Sequence, residues 1–219
     1  MTPLVHLVGA GPGDPLLLTR RAADLLARAD VVVADRASAG PVLALAPPSA
    51  ARHHVGRSAA GPAWDLDAIV DLLAAEARLG RTVVRLKSGD PFVCSRGAEE
   101  ALALAARGVR CEVVPGVTAA TAAPLAAGWR PGRTVTFAAG NADPVQPQLD
   151  LAALADPRAA LVVLTGRARQ ANLADGLVAA GLPPTTPAAE VGRSTQPSGM
   201  CIALALRRTD HQGRRRRPW

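Results

Sequence analysis

Short apolar runs rich in β-branched residues alternate with longer alanine- and leucine-rich stretches, and this alternation constrains the fold of the chain more than any other feature. "LVHLVG" leads to "TRRAADLLARAD" and then "VVVA"; "DLDAIVDLLAAEARLG" leads to "TVVRLK"; "GAEEALALAARG" leads to "CEVVPG". A short run that is apolar throughout suits a strand covered on both faces, and a long stretch with apolar residues three and four apart suits the helix that covers it. Parallel neighbours need a crossover and a helix supplies one, so the pattern predicts an α/β architecture with mainly parallel sheets. Local chemistry agrees. Asp65 is placed to cap the helix that follows it, and Gly80 to end that helix as the residue just past its last turn.

The alternation resumes after Pro115. A helix near Thr118 to Ala127, strands at "TVTFAAG" and "ALVVLTG", a helix at "RQANLADGLVAAG" and apolar runs around Ala188 to Val191 and Cys201 to Leu206 form a second set. The turn chemistry of "VVPGVT" puts a boundary at Pro115 and Gly116. Two α/β domains are therefore expected, residues 1–115 and a shortened 116–206, followed by a tail from 207 to 219. With 219 residues, 49% of them hydrophobic, the chain has material for both cores. "NADPVQPQLD" reads as a surface loop, and no internal repeat is present.

A formal net charge of +7 suggests a nucleic-acid partner until it is located. Residues 207–219 hold six arginines and one acid, so the basicity belongs to the tail, which reads as a solvated, disordered end. Two Phe, three Trp and no Tyr are too few for a base-stacking platform, and no nucleic acid is expected. Lys87 is the one lysine in a chain whose other strong bases are all arginine. Cys94, Cys111 and Cys201 form no Cys-x-x-Cys pair, and His53 and His54 lack a third ligand at useful spacing, so no metal is expected and the histidines read as part of an edge strand. No apolar run approaches the roughly 20 residues that span a bilayer, and no basic segment precedes the first apolar stretch. A soluble, cytoplasmic protein without a membrane partner is the expectation.

"GAGPGD", residues 9 to 14, looks like a dinucleotide loop but departs from one. The third small residue of that fingerprint is replaced by Asp14, whose charge disfavours a pyrophosphate, and Pro12 removes an amide donor. The loop suits a ligand without phosphates lying against bare backbone at the carboxyl end of a strand. "RLKSGDPFVCSRGAEE" and "VVPGVTAATAAP" put two more polar, glycine-bearing turns at the ends of two more strands. Three such turns on one sheet edge make a site.

"LVGAGPGDPLLLT", "ADVVVADR", "VVRLKSGDPFVCSRGAEE" and "EVVPGVTAATAAP" resemble, in order and spacing, the four signature segments of the tetrapyrrole (corrin/porphyrin) methylases, and most of all the uroporphyrinogen-III C-methyltransferases. The resemblance is dense over residues 4–127 and thinner from 134 to about 200, where "LVVLTG" and "PAAEVGRSTQP" match later strands. It implies two α/β domains with S-adenosyl-L-methionine in the cleft between them, and a homodimer. It also implies methylation of C-2 and C-7 of uroporphyrinogen III to precorrin-2, on the way to sirohaem or cobalamin. Carried over residue by residue, it assigns Pro12, Ser88, Gly89, Asp90, Thr118, Ala119, Thr165 and Ala189 to the S-adenosylmethionine site, and Asp35, Arg96 and Glu99 to the tetrapyrrole side. Arg36, Arg57, Arg96 and Arg130 are candidates to pair with a substrate that carries eight carboxylates.

Departures from the family pattern are also legible. Ser88 stands where a glycine is usual, Cys94 replaces an aromatic, Ser95 a glycine, and Leu164-Thr165 a Tyr-Met pair. Only "RPGR" remains of a longer loop, and after Leu206 the Arg-rich tail stands in place of a final helix and strand, as a truncated or frameshifted end would look. Two further readings share the fold: methylation of another (cobalt-)precorrin, and binding of tetrapyrrole or S-adenosylmethionine without turnover.

Overall fold

The computed structural model describes residues 2–35, 40–56, 64–126, 128, 132–140, 149–164, 170–191 and 203–206. The chain divides into two compact units, Met1–Thr118 and Ala119–Trp219. In the first, β1 (Leu4–Gly9), β2 (Val31–Ala34), β3 (Ala51–His54), β4 (Val83–Lys87) and β5 (Arg110–Val114) form one sheet in the order β3-β2-β4-β1-β5. Every pairing in it is parallel. Strands β2 and β4 are buried along their whole length, as central strands covered on both faces are; β2 is apolar throughout, whereas β4 carries Arg85 and Lys87. His53 and His54 lie on β3, an edge of the sheet, as their sequence context suggests.

Helices cover both faces. Leu25 and Leu26 of α1 (Arg20–Leu26) and Val42 and Leu43 of α2 (Gly40–Leu43) pack with Val8, Val32, Val84 and Leu86 on one side. Ile69, Val70 and Leu73 of α3 (Leu66–Arg78) and Leu104 of α4 (Gly97–Ala106) pack with Val5, Val31, Val33 and Val83 on the other. The ends of these helices follow from local chemistry. Asp65 Oδ1 accepts from Ala68 N at 2.7 Å, and Gly80 takes φ +74° two residues past Arg78. Thr19 caps α1 by accepting from Ala22 N at 3.2 Å. Asp14 accepts from Leu16 N at 2.9 Å and caps a 3-10 turn over Pro15–Leu17, which gives the carboxylate in the glycine loop a structural role.

The second unit holds α5 (Ala119–Ala126), β6 (Val135–Ala139), α6 (Leu151–Leu154), β7 (Ala160–Leu164), α7 (Gln170–Ala179), β8 (Ala188–Val191) and β9 (Ala203–Leu206). Its sheet order is β6-β7-β9-β8. Here β6 and β7 are parallel, but β9 runs antiparallel to both of its neighbours, so the second sheet is mixed. The segment linking β8 to β9 has no helical crossover pattern in the sequence, and an antiparallel return does not need one. Leu173 and Leu177 of α7 cover Leu161 and Val163, and Ala123 of α5 covers Ala160 and Val162.

Leu73 is fully buried in the first core. Leu73→Ala should cost about 2–5 kcal/mol, the usual penalty for the lost transfer energy plus the cavity left behind. A lower urea midpoint without a change of slope is the expected reading.

Candidate functional site

All five strands of the first sheet point the same way, so their carboxyl ends line one edge, and the chain places its glycine turns there. The turns after β1 and β4 are tied backbone to backbone, and the turn after β5 is tied to them through a side chain. Ala10 N donates to Lys87 O at 2.7 Å, and Gly11 and Gly89 exchange both of their hydrogen bonds, at 3.1 and 2.8 Å. Gly116 N donates to Asp90 Oδ2 at 3.1 Å. The approach is too close for side chains. A Cβ on Gly9 would lie 2.6 Å from Gly116 Cα, and one on Gly116 would lie 2.2 Å from Gly89 O. Gly11, Gly13 and Gly89 also take positive φ, which their lack of a Cβ permits.

Asp90 staples this cradle: besides Gly116 N it accepts from Phe92 N and Val93 N through Oδ1, at 2.8 and 3.2 Å. Its position in the motif thus has an architectural role in the loop. Ser88 does not take a positive φ, so the usual glycine is not needed there for backbone reasons. Among the described residues Cys94 alone departs from the glycine rule, at φ +51°. Gly97 closes the turn by bringing its N within 3.1 Å of Pro91 O, where a Cβ would meet that oxygen at 2.2 Å.

Beside the cradle lies a cluster of four charges. Arg85 and Lys87 project from the same face of β4 because residues two apart in a strand share a face, and both are buried. Arg85 Nε and Nη2 donate to Glu100 Oε2 and Oε1 at 2.9 and 3.0 Å, and Nη2 also donates to Asp35 Oδ1. Lys87 Nζ donates to Glu100 Oε1 at 2.6 Å and lies 3.5 Å from Asp35 Oδ2. Arg85 Nη1 reaches the carbonyl oxygens of Val33 and Leu86. Burial by itself would push the Asp35 carboxyl up, but the charges of Arg85 and Lys87 outweigh it and hold Asp35 below the ordinary carboxylate range. The same balance raises Arg85: burial opposes its charge, and Asp35 and Glu100 prevail. Gly56 completes this corner by letting the chain after β3 pass the backbone of Asp35, whose O would sit 1.4 Å from any Cβ at 56.

The structure thus brings Pro12, Ser88, Gly89, Asp90 and Thr118 onto one strand-end edge and Asp35 into the charge cluster on the same edge. Arg96 sits at the entry to α4 without capping it, and its Nε lies 3.7 Å from Glu99 Oε1; this pair is partly exposed and touches neither Arg85 nor Lys87. Ala119 opens α5, and Ala189 is half-buried on β8. Thr165, Arg36, Arg57 and Arg130 lie outside the described residues. Sequence reasoning singled out Glu99, but its neighbour Glu100 is the acid that joins Asp35. The signal was available: Gly97, Glu100 and Leu104 are three and four apart and form the buried stripe of α4. Among the described residues no group of three or more His, Cys, Asp or Glu is placed to hold a metal ion.

The family model for Tetrapyrrole (Corrin/Porphyrin) Methylases matches residues 4–199. An S-adenosyl-L-methionine-dependent uroporphyrinogen III methyltransferase of Methanosarcina barkeri is 39% identical over 199 residues, covering 88% of this chain and 78% of that protein. A siroheme synthase of Chromobacterium violaceum is 42% identical over 87% of this chain, which spans only 42% of its length. The solved uroporphyrin-III C-methyl transferase from Thermus thermophilus, complexed with S-adenyl homocysteine, is 39% identical with a TM-score of 0.76, covering 93% of this chain and 87% of that one.

Asp35 carries a pH prediction. A carboxyl held below its unfolded value of 3.8 adds stability that is present above that pH and is lost as pH falls through the folded value. Asp35→Asn should therefore be less stable than the wild type near neutrality, by about 1–3 kcal/mol for a lost charged hydrogen-bond partner. The gap should close as the pH drops below 3.8, and urea titrations of both proteins between neutrality and acid would measure it.

Proposed function

Because the chain belongs to the tetrapyrrole (corrin/porphyrin) methylase family, we propose that it transfers methyl groups from S-adenosyl-L-methionine to C-2 and C-7 of uroporphyrinogen III, giving precorrin-2. The observation that carries this reading is the cradle of Gly9, Gly89 and Gly116 with a fixed carboxylate, Asp35, at its side. A cradle of bare backbone fits the flat, phosphate-free adenosyl group, and Asp14, turned to cap the 3-10 helix, makes a pyrophosphate a poor alternative. When bound, S-adenosylmethionine supplies an electrophilic methyl on a sulfonium.

The chain's own residues then have defined tasks. Pro12, Ser88, Gly89 and Asp90 line the adenosylmethionine side, with Thr118 beside them; Ala119, Thr165 and Ala189 are assigned to it by the family resemblance alone. An enamine-like pyrrole carbon needs no covalent nucleophile from the protein, so positioning is the main contribution, worth roughly 7–11 kcal/mol in favourable cases. The new carbon–carbon bond forms as the sulfur–carbon bond breaks, the thioether leaves, and positive charge develops on the pyrrole before a proton departs. Asp35, held ionised, stabilises that charge and orients the pyrrole N–H groups. Arg96, exposed at the rim, pairs with the carboxylates of the substrate. The protein acts as a homodimer in the cytoplasm in this reading; among the described residues no helix is long and apolar enough to cross a membrane.

The direct test is anaerobic incubation with uroporphyrinogen III and methyl-labelled S-adenosylmethionine, followed by mass analysis. A tetrapyrrole heavier by two methyl groups is expected; no transfer, with the cosubstrate still bound, would move the assignment to another precorrin. Asp90→Ala tests the site. With its staple gone the turn after β5 is released from the turn after β4, and calorimetry should read an S-adenosylmethionine affinity weaker by about 5- to 100-fold, as for roughly 1–3 kcal/mol of lost charged hydrogen bonding. Unchanged affinity would place the cosubstrate elsewhere.

A further inference from the structure

Wherever else this chain needs a strong base it uses arginine, and it keeps a lysine only at position 87. That lysine is 4% exposed and shares its strand face with Arg85, so the cluster contains one cation of each kind. The two divide Asp35 between them: Arg85 Nη2 holds Oδ1, while Lys87 Nζ faces Oδ2 at 3.5 Å. Arg85 has a competing partner. Its Nε and Nη2 meet both oxygens of Glu100, the two-point geometry that a planar guanidinium prefers, so Glu100 alone could satisfy it. Lys87 opposes that outcome by donating to Glu100 Oε1 at 2.6 Å, the same oxygen that Arg85 Nη2 contacts, which leaves Nη2 shared between Glu100 and Asp35. A compact ammonium does this with one nitrogen placed between two carboxylates. A second guanidinium would bring a planar fork of five donors into a buried space that already holds one.

We propose that Lys87 is a positioning residue that fixes the Asp35 carboxylate toward the substrate, and that an ammonium, not a guanidinium, is required to do so. What Asp35 faces rests on the methyl-transfer reading above. That Lys87 holds Asp35 does not.

Two measurements separate these claims. The first is turnover of uroporphyrinogen III by the wild type, Lys87→Arg and Lys87→Met. Both variants should lose kcat by about a hundredfold, the penalty of a misplacement near 1 Å, with little change in KM, and Lys87→Arg should give no rescue although it keeps the charge. The second is the titration of the Asp35 carboxyl followed by carbon-13 NMR in aspartate-labelled protein. In Lys87→Met the midpoint should move up from its wild-type position because Oδ2 has lost its cation, and Glu100→Gln, which releases Lys87 from its anchor, should also shift it. If the wild type transfers no methyl, the functional reading fails and the titration alone decides the role of Lys87. If Asp35 titrates in Lys87→Met and Glu100→Gln as in the wild type, the proposal is overturned. It is overturned equally if Lys87→Arg turns over at the wild-type rate. Should Lys87→Met not fold, the same titration in Lys87→Arg decides, since that variant keeps the balance of two cations and two anions.

Discussion

Arg85 carries its charge in the middle of a strand covered on both faces, and much of the first unit follows from having to accommodate it. Taking a guanidinium out of water costs several kcal/mol unless anions and further acceptors meet it closely. Those partners come from two separate elements: Glu100 from the buried stripe of α4, and Asp35 from the residue after β2. The rotation of α4 about its axis and the point at which β2 ends are thereby coupled to one side chain of β4. Apolar packing of Leu104 against Val5 and Val83 permits that arrangement, but it is the charge that singles it out.

The neighbouring glycine turns obey a different constraint. Three backbones meet so closely that a Cβ at Gly9 or Gly116 would fall inside the contact distance of main-chain atoms, which cannot move aside as a flexible side chain would. Asp90 adds the polar half of the same junction by accepting three backbone amides from two turns. One part of the edge is thus backbone joined by a single amide-bound carboxylate, and the adjoining part a balanced set of two cations and two anions. The balance matters because an unpaired buried charge would cost more than the cluster gains.

Much of this was legible in the sequence, and what was missed has a physical reason. Alternation of apolar runs and periodic stretches gave the α/β class, and Asp65 and Gly80 marked the ends of α3 because capping is a local matter of one side chain and one turn. Gly-Asp-Pro turns after predicted strands marked the edge on which the glycine turns meet. The partnership of Arg85, Lys87, Glu100 and Asp35 was not read, since it depends on which face of β4 meets which face of α4, a property of packing and not of spacing along the chain. The place of Glu100 in the cluster has the same cause: adjacent residues on a helix point about 100° apart, and only the buried stripe through Gly97 and Leu104 separates Glu100 from Glu99. The antiparallel course of β9 was likewise invisible, because a short apolar run carries no sign of its direction.

The two halves of the edge divide the electrostatic demands of the proposed reaction. A sulfonium donor is cationic, and the tetrapyrrole carries many carboxylates yet becomes locally positive at the carbon that is alkylated. A cationic pocket for the donor would oppose its binding, and an anionic one would stabilise the ground state as much as the transition state, which gains nothing in rate. A cradle made mainly of backbone, whose one carboxylate, Asp90, is taken up by three main-chain amides, limits both effects. The fixed negative charge is then best placed where positive charge appears during the reaction, and held there by groups that need not reorient as it appears. Asp35, gripped through both oxygens by two cations that it and Glu100 together balance, meets that requirement: it is ionised, oriented and set in a cluster whose net charge is zero until the substrate changes it.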